Sequence, residues 1–322
     1  MRAELQEKNP KPESPRDVVS EDEWQAAATA CEARGHDVSA DRRVNADDLL
    51  AAAKTQRAGA AAGPDGWSGA YLRRLATLFP TEVAELLWRE DRALSDTHDP
   101  LLAHAVTDAT IGGMAKPRGG FRPIVIGRCA VRCLVAHLVK RARPALKKLL
   151  EADGQYALTG VLPAVVPVFT MMSKCAAAGV PWALTDDDFA NAFNAVSQRA
   201  LFDSVRRVAP VAPELAACML RAHCAVRGVG AAEMVLRGTY ARGQEPLVVD
   251  RYARGGGQGC PDMPAAFAGV VAMINKEAEA HAGDVRHDMS ADEAHDALWP
   301  LVRAQAGLDA AASAPTRMAR GA

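Results

Sequence analysis

The sequence predicts an α+β fold in which helices carry most of the chain, and three observations lead there. Aromatic residues make up only 5% of the 322 residues while alanine is abundant, a bias that favours helices over an all-β arrangement. Helix-start signals recur along the chain. Short apolar runs bounded by turn residues stand between the helices as strands. A chain of this length forms one large domain or two small ones and has ample length to bury a core.

Residues 1–19 are polar and proline-bearing and are expected to be disordered. Ser20-Glu21-Asp22-Glu23 is a capping box that opens a helix toward Gly35. A second helix starts near Asn45, with Leu49, Leu50 and Ala53 on one face. Gly63-Pro64-Asp65-Gly66 has turn chemistry, because proline presets φ and glycine permits a positive one. It leads into an amphipathic helix over 68–79 that Pro80 stops. Further helices are expected over 81–94 and 101–110, the latter running into Ile111-Gly112-Gly113-Met114.

Residues 129–150 read as a long basic helix, interrupted or kinked near Pro144. The apolar run 181–184 is a strand, and Ser197 caps a helix over 198–208 that packs through Leu201, Val205 and Val208. Another helix covers 213–225, Val235-Leu236 pairs with Leu247-Val248-Val249, and a last helix runs over 263–282.

The formal net charge of −1 argues for no particular partner, but the charge is unevenly placed. From 116 to 150 there are ten Lys or Arg residues and no Asp or Glu. Such a block suits either a phosphate-facing surface or a solvated helix face balanced by acidic neighbours; the glycine-rich sequence before it favours phosphate. The seven cysteines are odd in number, scattered and without a CxxC pair, as expected of reduced thiols in an intracellular protein. Cys129, Cys133 and His137 share one helical stripe. Three ligands strung along one helix spread too far to close a tetrahedron, so the stripe is expected in the core.

The first residues carry no apolar leader segment, and the apolar run 161–172 is too short and too proline-rich to span a bilayer. A soluble protein without membrane partners is expected. The sequence contains no GxxxxGK[ST] loop and no Ser-His-Asp set, so neither a P-loop nucleotide enzyme nor a triad hydrolase is indicated.

The chemistry-bearing stretch is Asp186-Asp187-Asp188-Phe189-Ala190-Asn191-Ala192-Phe193. Several carboxylates at the end of an apolar strand are costly unless a cation, a partner or water compensates them. One reading is a two-metal phosphoryl-transfer site, in which such carboxylates hold ions about 3.5–4 Å apart. Magnesium suits it, since it takes one or two carboxylates and fills its other positions with water and phosphate. The other reading is a solvated turn after an edge strand. Farther on, Gly255-Gly256-Gly257-Gln258-Gly259-Cys260-Pro261 precedes an apolar helix, on its own a weak phosphate signal.

Five stretches in order resemble a reverse transcriptase (RNA-directed DNA polymerase) of the non-LTR, LINE-type retrotransposons, in truncated or degenerate form. They are Ala62-Gly63-Pro64-Asp65-Gly66-Trp67, Lys116-Pro117 with Phe121-Arg122-Pro123-Ile124, the run from Asp188 to Phe193, Gly257-Gln258-Gly259-Cys260-Pro261, and Ser290-Ala291-Asp292-Glu293. No single one is specific; the ordered set carries the likeness.

The resemblance implies a right-hand fingers and palm architecture without a thumb, with helix-rich fingers and an antiparallel palm sheet. It divides the chain into a polar segment with one helix (1–44), a fingers-like region (45–180), a palm-like region (181–298) and a flexible tail (299–322). It implies two magnesium ions, with manganese as the substitute, held by Asp188, the Phe189 carbonyl and Asp292, with Glu293 beside them. Lys116 and Arg122 would hold phosphates, Phe193 would lie under the sugar and exclude a 2′-hydroxyl, and Gln258 and Gly259 would hold the base pair and template. Partners would be an RNA template, a DNA primer and deoxynucleotides, with nuclear action expected.

The departures are Ala157 for a glycine, Asp187 for an apolar residue, and Ser290 and Glu293 for the aromatic and the second Asp of a Tyr-x-Asp-Asp hairpin. They leave an alternative from another class: a catalytically inactive remnant that binds RNA or RNA–DNA duplex through its basic fingers.

Overall fold

The computed structural model describes residues 19–37, 45–95, 109–117, 119–158, 161–179, 182–186, 192–227, 234–236, 247–250, 256–281 and 317–321. Helix α1 (Glu21–Asp37) opens on the expected capping box. The Glu23 N–H donates to Ser20 Oγ at 3.2 Å, and the Ser20 N–H donates to Glu23 Oε2 at 3.0 Å. The helix runs past Gly35 to Asp37. Trp24, 1% exposed, anchors it edge-to-face on Phe202, with ring centroids 4.8 Å apart. Beside that contact the Glu23 carboxylate meets Arg199 at 3.0 Å.

Asn45 caps α2 (Ala46–Lys54) by accepting the Asp48 N–H at 2.7 Å, and Leu49 and Ala53 are buried. Ser68 caps α3 (Gly69–Leu78) in the same way. Pro80 does more than stop that helix: it is the first residue of α4 (Pro80–Ser95), where its missing N–H would have had no intrahelical partner anyway.

Strand β1 (Ala109–Ala115) pairs antiparallel with β2 (Phe121–Gly127) from Ala109↔Gly127 to Ala115↔Phe121. Residues 109 and 110, expected as the end of a helix, are therefore strand, and residues 101–108 lie outside the described ones. Thr110 is buried there and donates through Oγ1 to the Ile126 carbonyl at 3.4 Å.

Helix α5 (Cys129–Ala152) runs unbroken through Pro144. Proline costs it one backbone bond, yet Leu134, Leu138, Leu146 and Leu150 are buried on the face away from the exposed Pro144. Burial on both sides of the proline offsets that loss. Next come α6 (Val161–Ala177), strand β3 (Trp182–Asp186) and the short α7 (Ala192–Ala195). Ser197 caps α8 (Gln198–Val208) through the Ala200 N–H at 3.1 Å, and Leu201, Val205 and Val208 are buried as expected. Then follow α9 (Pro213–Arg227), β4 (Met234–Leu236), β5 (Leu247–Asp250), α10 (Met263–His281) and β6 (Arg317–Gly321).

The class is α+β, but the strands form two sheets. β4 and β5 pair antiparallel as expected, and β4 joins β1 in parallel, giving the order β2-β1-β4-β5. β3 pairs instead with β6, from Trp182↔Gly321 to Asp186↔Arg317. Among the described residues the strands thus make a mixed sheet built on the β1–β2 hairpin and a separate two-stranded ribbon, and much of 181–298, where the resemblance implies an antiparallel palm sheet, lies outside those residues. Within 299–322, expected as a flexible tail, residues 317–321 are strand.

One apolar cluster joins Trp24, Leu49, Leu72, Leu87, Leu134, Leu201 and Met263, so α1 and the described parts of 45–180 and 181–298 share a single core. Helices α8 and α10 cross closely because one wall is Gly269: a Cβ there would stand 2.2 Å from Ser204 Oγ. Ser204, fully buried, donates to the Ala266 carbonyl at 2.7 Å. At one end of α5, buried Asp153 takes Arg207 of α8 and, at 2.6 Å, Lys276 of α10. Burial alone would raise its pKa, but the bonds from Lys276 and Arg207 hold it below the ordinary carboxylate value.

Candidate functional site

Strand β2 is an edge of the mixed sheet. Its outward N–H groups need partners or water. The Val125 N–H finds the Gln258 carbonyl at 2.7 Å, so the glycine-rich loop lies along that edge like a short extra strand. Glycine makes the approach possible. At Gly259, φ is +120° and a Cβ would stand 2.5 Å from the Val125 carbonyl oxygen; at Gly257 a Cβ would stand 2.8 Å from Val125 Cβ.

The other end of the loop reaches α7. The Gly256 N–H donates to the Phe193 carbonyl at 2.8 Å, and the half-buried Phe193 ring meets Phe267 of α10 edge-to-face at 5.3 Å. Three stretches remote in sequence, the Arg122 strand, Phe193 and the Gln258 loop, are therefore joined by backbone hydrogen bonds.

Cys260 and Asp262 close the loop beneath this junction. Burial pushes the Cys260 thiol up to about 12 and the Asp262 carboxyl up to about 6, although backbone N–H groups at Asp262 and Met263 act against the second shift. Gln258 is half-buried and Gly259 exposed.

Lys116 and Arg122 stand exposed at the turn end of the β1–β2 hairpin. The turn is closed by the Lys116 N–H to the Gly120 carbonyl at 2.9 Å, and Gly119 and Gly120 take φ of +89° and +78°. Of the remaining basic residues in the block, most are occupied within the fold. Arg128 pairs with buried Glu90 at 3.0 Å, Arg132 donates to the Ala61 carbonyl at 2.7 Å, and Arg143 donates to the Leu158 carbonyl at 2.9 Å. Arg141 pairs with Glu214, and Lys147 with Glu151 at 3.6 Å. Among the described residues of the block, Lys116, Arg122, Lys140 and Lys148 have neither an ion pair nor a side-chain hydrogen bond. The positive surface open to an anion is thus smaller than the sequence count implies and includes the hairpin.

The turn 63–66 is tied to the same strand. The Gly66 N–H donates to the Gly63 carbonyl at 3.0 Å, and a Cβ on Gly63 would stand 2.3 Å from the Gly127 carbonyl oxygen. Asp65 Oδ1 accepts the Trp67 N–H at 3.1 Å, while Oδ2 accepts the Cys129 N–H at 2.9 Å. The turn therefore caps α5, whose own N-cap residue, Arg128, makes no side-chain cap bond. The residues of this stretch by themselves read as a turn, and neither they nor the resemblance marked Asp65 as a helix cap. The available signal was a helix opening after Arg128 with no Ser, Thr, Asp or Asn beside it.

Cys129 and Cys133 are buried in the core, as expected, and burial raises both thiols, Cys133 to about 12. Burial also lowers the His137 pKa. No group of three His, Cys, Asp or Glu among the described residues could hold a metal ion. The carboxylates expected to bind magnesium are not among them: Asp188 and Phe189 fall between β3 and α7, and Asp292 and Glu293 between α10 and β6, all outside the described residues. No described helix is long and apolar enough to cross a membrane. Comparison with protein-family models and with curated proteins finds no match.

Proposed function

We propose that the chain is an RNA-directed DNA polymerase-like domain of retroelement origin, transferring deoxynucleotides onto a primer 3′-hydroxyl. One observation supports this reading above the others. The stretches that the resemblance assigns to the incoming nucleotide, far apart in sequence, meet through the Val125–Gln258 and Gly256–Phe193 backbone bonds.

In this reading Arg122 and Lys116 hold the triphosphate, Phe193 packs under the sugar, and Gln258 with Gly259 holds the base pair. Magnesium, carried by Asp188, the Phe189 carbonyl and Asp292 with Glu293 alongside, would stabilise the attacking and leaving oxygens. The chain's own part is to fix the phosphates, sugar and base so that the 3′-hydroxyl meets the α-phosphate in line. RNA template and DNA primer are the implied partners, and the nucleus the implied place of action.

A second reading, an inactive remnant that binds RNA or RNA–DNA duplex, is favoured by one feature. Among the described residues the strand leading to Asp188 pairs with β6, which sets Arg317 opposite Asp186.

Primer extension by purified protein on an RNA template with magnesium and deoxynucleotides separates the two. Extension that disappears in Asp188→Ala supports the polymerase. Folded protein that binds duplex with a steep salt dependence but extends nothing refutes it in favour of the remnant.

A further inference from the structure

We infer that Asp65 is a positioning residue for the nucleotide-facing side chains, acting through strand β2; the inference rests on the polymerase reading above. Its carboxylate touches none of those side chains. It holds the point from which they are aimed.

The geometry runs in one line. Asp65 receives the first N–H of α5 on one oxygen and the Trp67 N–H on the other, so both oxygens are engaged by backbone. Gly63 presses the same turn against the Gly127 carbonyl and the Arg128 Cα, with no room for a side chain between them. Arg128 and Arg132, on either side of Cys129, reach Glu90 and the Ala61 carbonyl. The junction where β2 ends and α5 begins is therefore clamped from three directions, and Asp65 supplies the only one of those ties that bonds the backbone of the helix's first residue.

From that junction β2 runs back to Val125, which carries the Gln258 loop, and to Arg122, five residues before Gly127. At about 3.3 Å per residue Arg122 lies about 17 Å from the clamp, so a tilt of about 5° moves it by roughly 1.5 Å. A displacement of about 1 Å in a catalytic constellation can cost on the order of 100-fold in rate. Because the edge of β2 also holds the loop, the same tilt shifts Gln258. Arg122 and Gln258 are thus expected to fail together when Asp65 is removed.

The experiment is steady-state primer extension by the full chain, with Asp65→Ala and Asp65→Asn beside the unaltered protein. Primer–template affinity and amide hydrogen exchange are measured on the same samples. Asp65→Ala should raise KM for deoxynucleotide at least 10-fold with primer–template affinity within about 2-fold. Asp65→Asn, which keeps one acceptor oxygen, should recover part of the loss. Exchange should quicken in peptides covering 121–129 and 256–262 and not in α8.

An unchanged KM, or a loss that only follows the fraction of folded protein with exchange rising uniformly, overturns the inference. If the unaltered chain extends nothing, the polymerase reading fails on its own account. The exchange pattern then still decides whether Asp65 governs β2 and the loop: uniform exchange overturns that coupling, and exchange localised to those peptides supports it.

Discussion

Replacing Asp262 by asparagine should flatten the pH dependence of stability. Asp262 is 7% exposed where the Gly-Gln-Gly loop enters α10, and burial raises its pKa from 3.8 to about 6. Between those two values the folded chain holds a proton that the unfolded chain has released, so stability is greatest below pH 3.8 and declines as pH rises through about 6. A shift of roughly two units corresponds to about 3 kcal/mol, an upper figure for one buried carboxyl.

Urea unfolding of the unaltered chain and of Asp262→Asn, followed from pH 4.5 to 8 in matched ionic strength, isolates this group. The other titrating residues, including buried Glu90, whose carboxyl burial also raises, are common to both proteins. The unaltered chain should lose about 2 kcal/mol relative to the variant across that range, the rest of the effect lying below pH 4.5. A stability difference that does not change with pH would refute the reasoning, because it would mean that Asp262 titrates alike in the folded and unfolded chains.

Two further outcomes follow from packing. Gly259→Ala forces a side chain into a backbone at φ +120° and to 2.5 Å from the Val125 carbonyl, and should cost about 2 kcal/mol or more while weakening the Val125–Gln258 bond; unaltered urea unfolding would count against the close seat of the loop. Trp24→Ala empties a site in the shared core and should lower stability by about 3–5 kcal/mol, seen as a single cooperative transition at lower temperature. Loss of helical signal for α1 alone, with the rest unfolding as before, would show that α1 is an appendage.

What the sequence determined by itself is mostly local. Ser20 with Glu23, Asn45, Ser68 and Ser197 mark helix starts because each cap bonds an N–H only two or three residues away. The apolar faces of α2 and α8 were legible for the same reason, since a helix brings residues three and four apart to one side. Residues 101–110 resisted this reasoning, and the part the structure describes proved to be strand: Thr110 is buried by pairing with Ile126, a partner that no local pattern names.

The tertiary structure decided what depends on contacts between distant residues. Counting charges over 116–150 could not distinguish arginines that face solvent from those spent on Glu90, Glu214 and backbone carbonyls, because pairing depends on which helices become neighbours. The sequence could mark Asp65 as a turn residue, but not as the cap of a helix that begins 64 positions later. Likewise it could name Arg122, Phe193 and Gln258 separately. Joining the stretches that carry them required the edge of β2 to have an open N–H and the loop to have glycines small enough to reach it, and that fit exists only once the chain has folded.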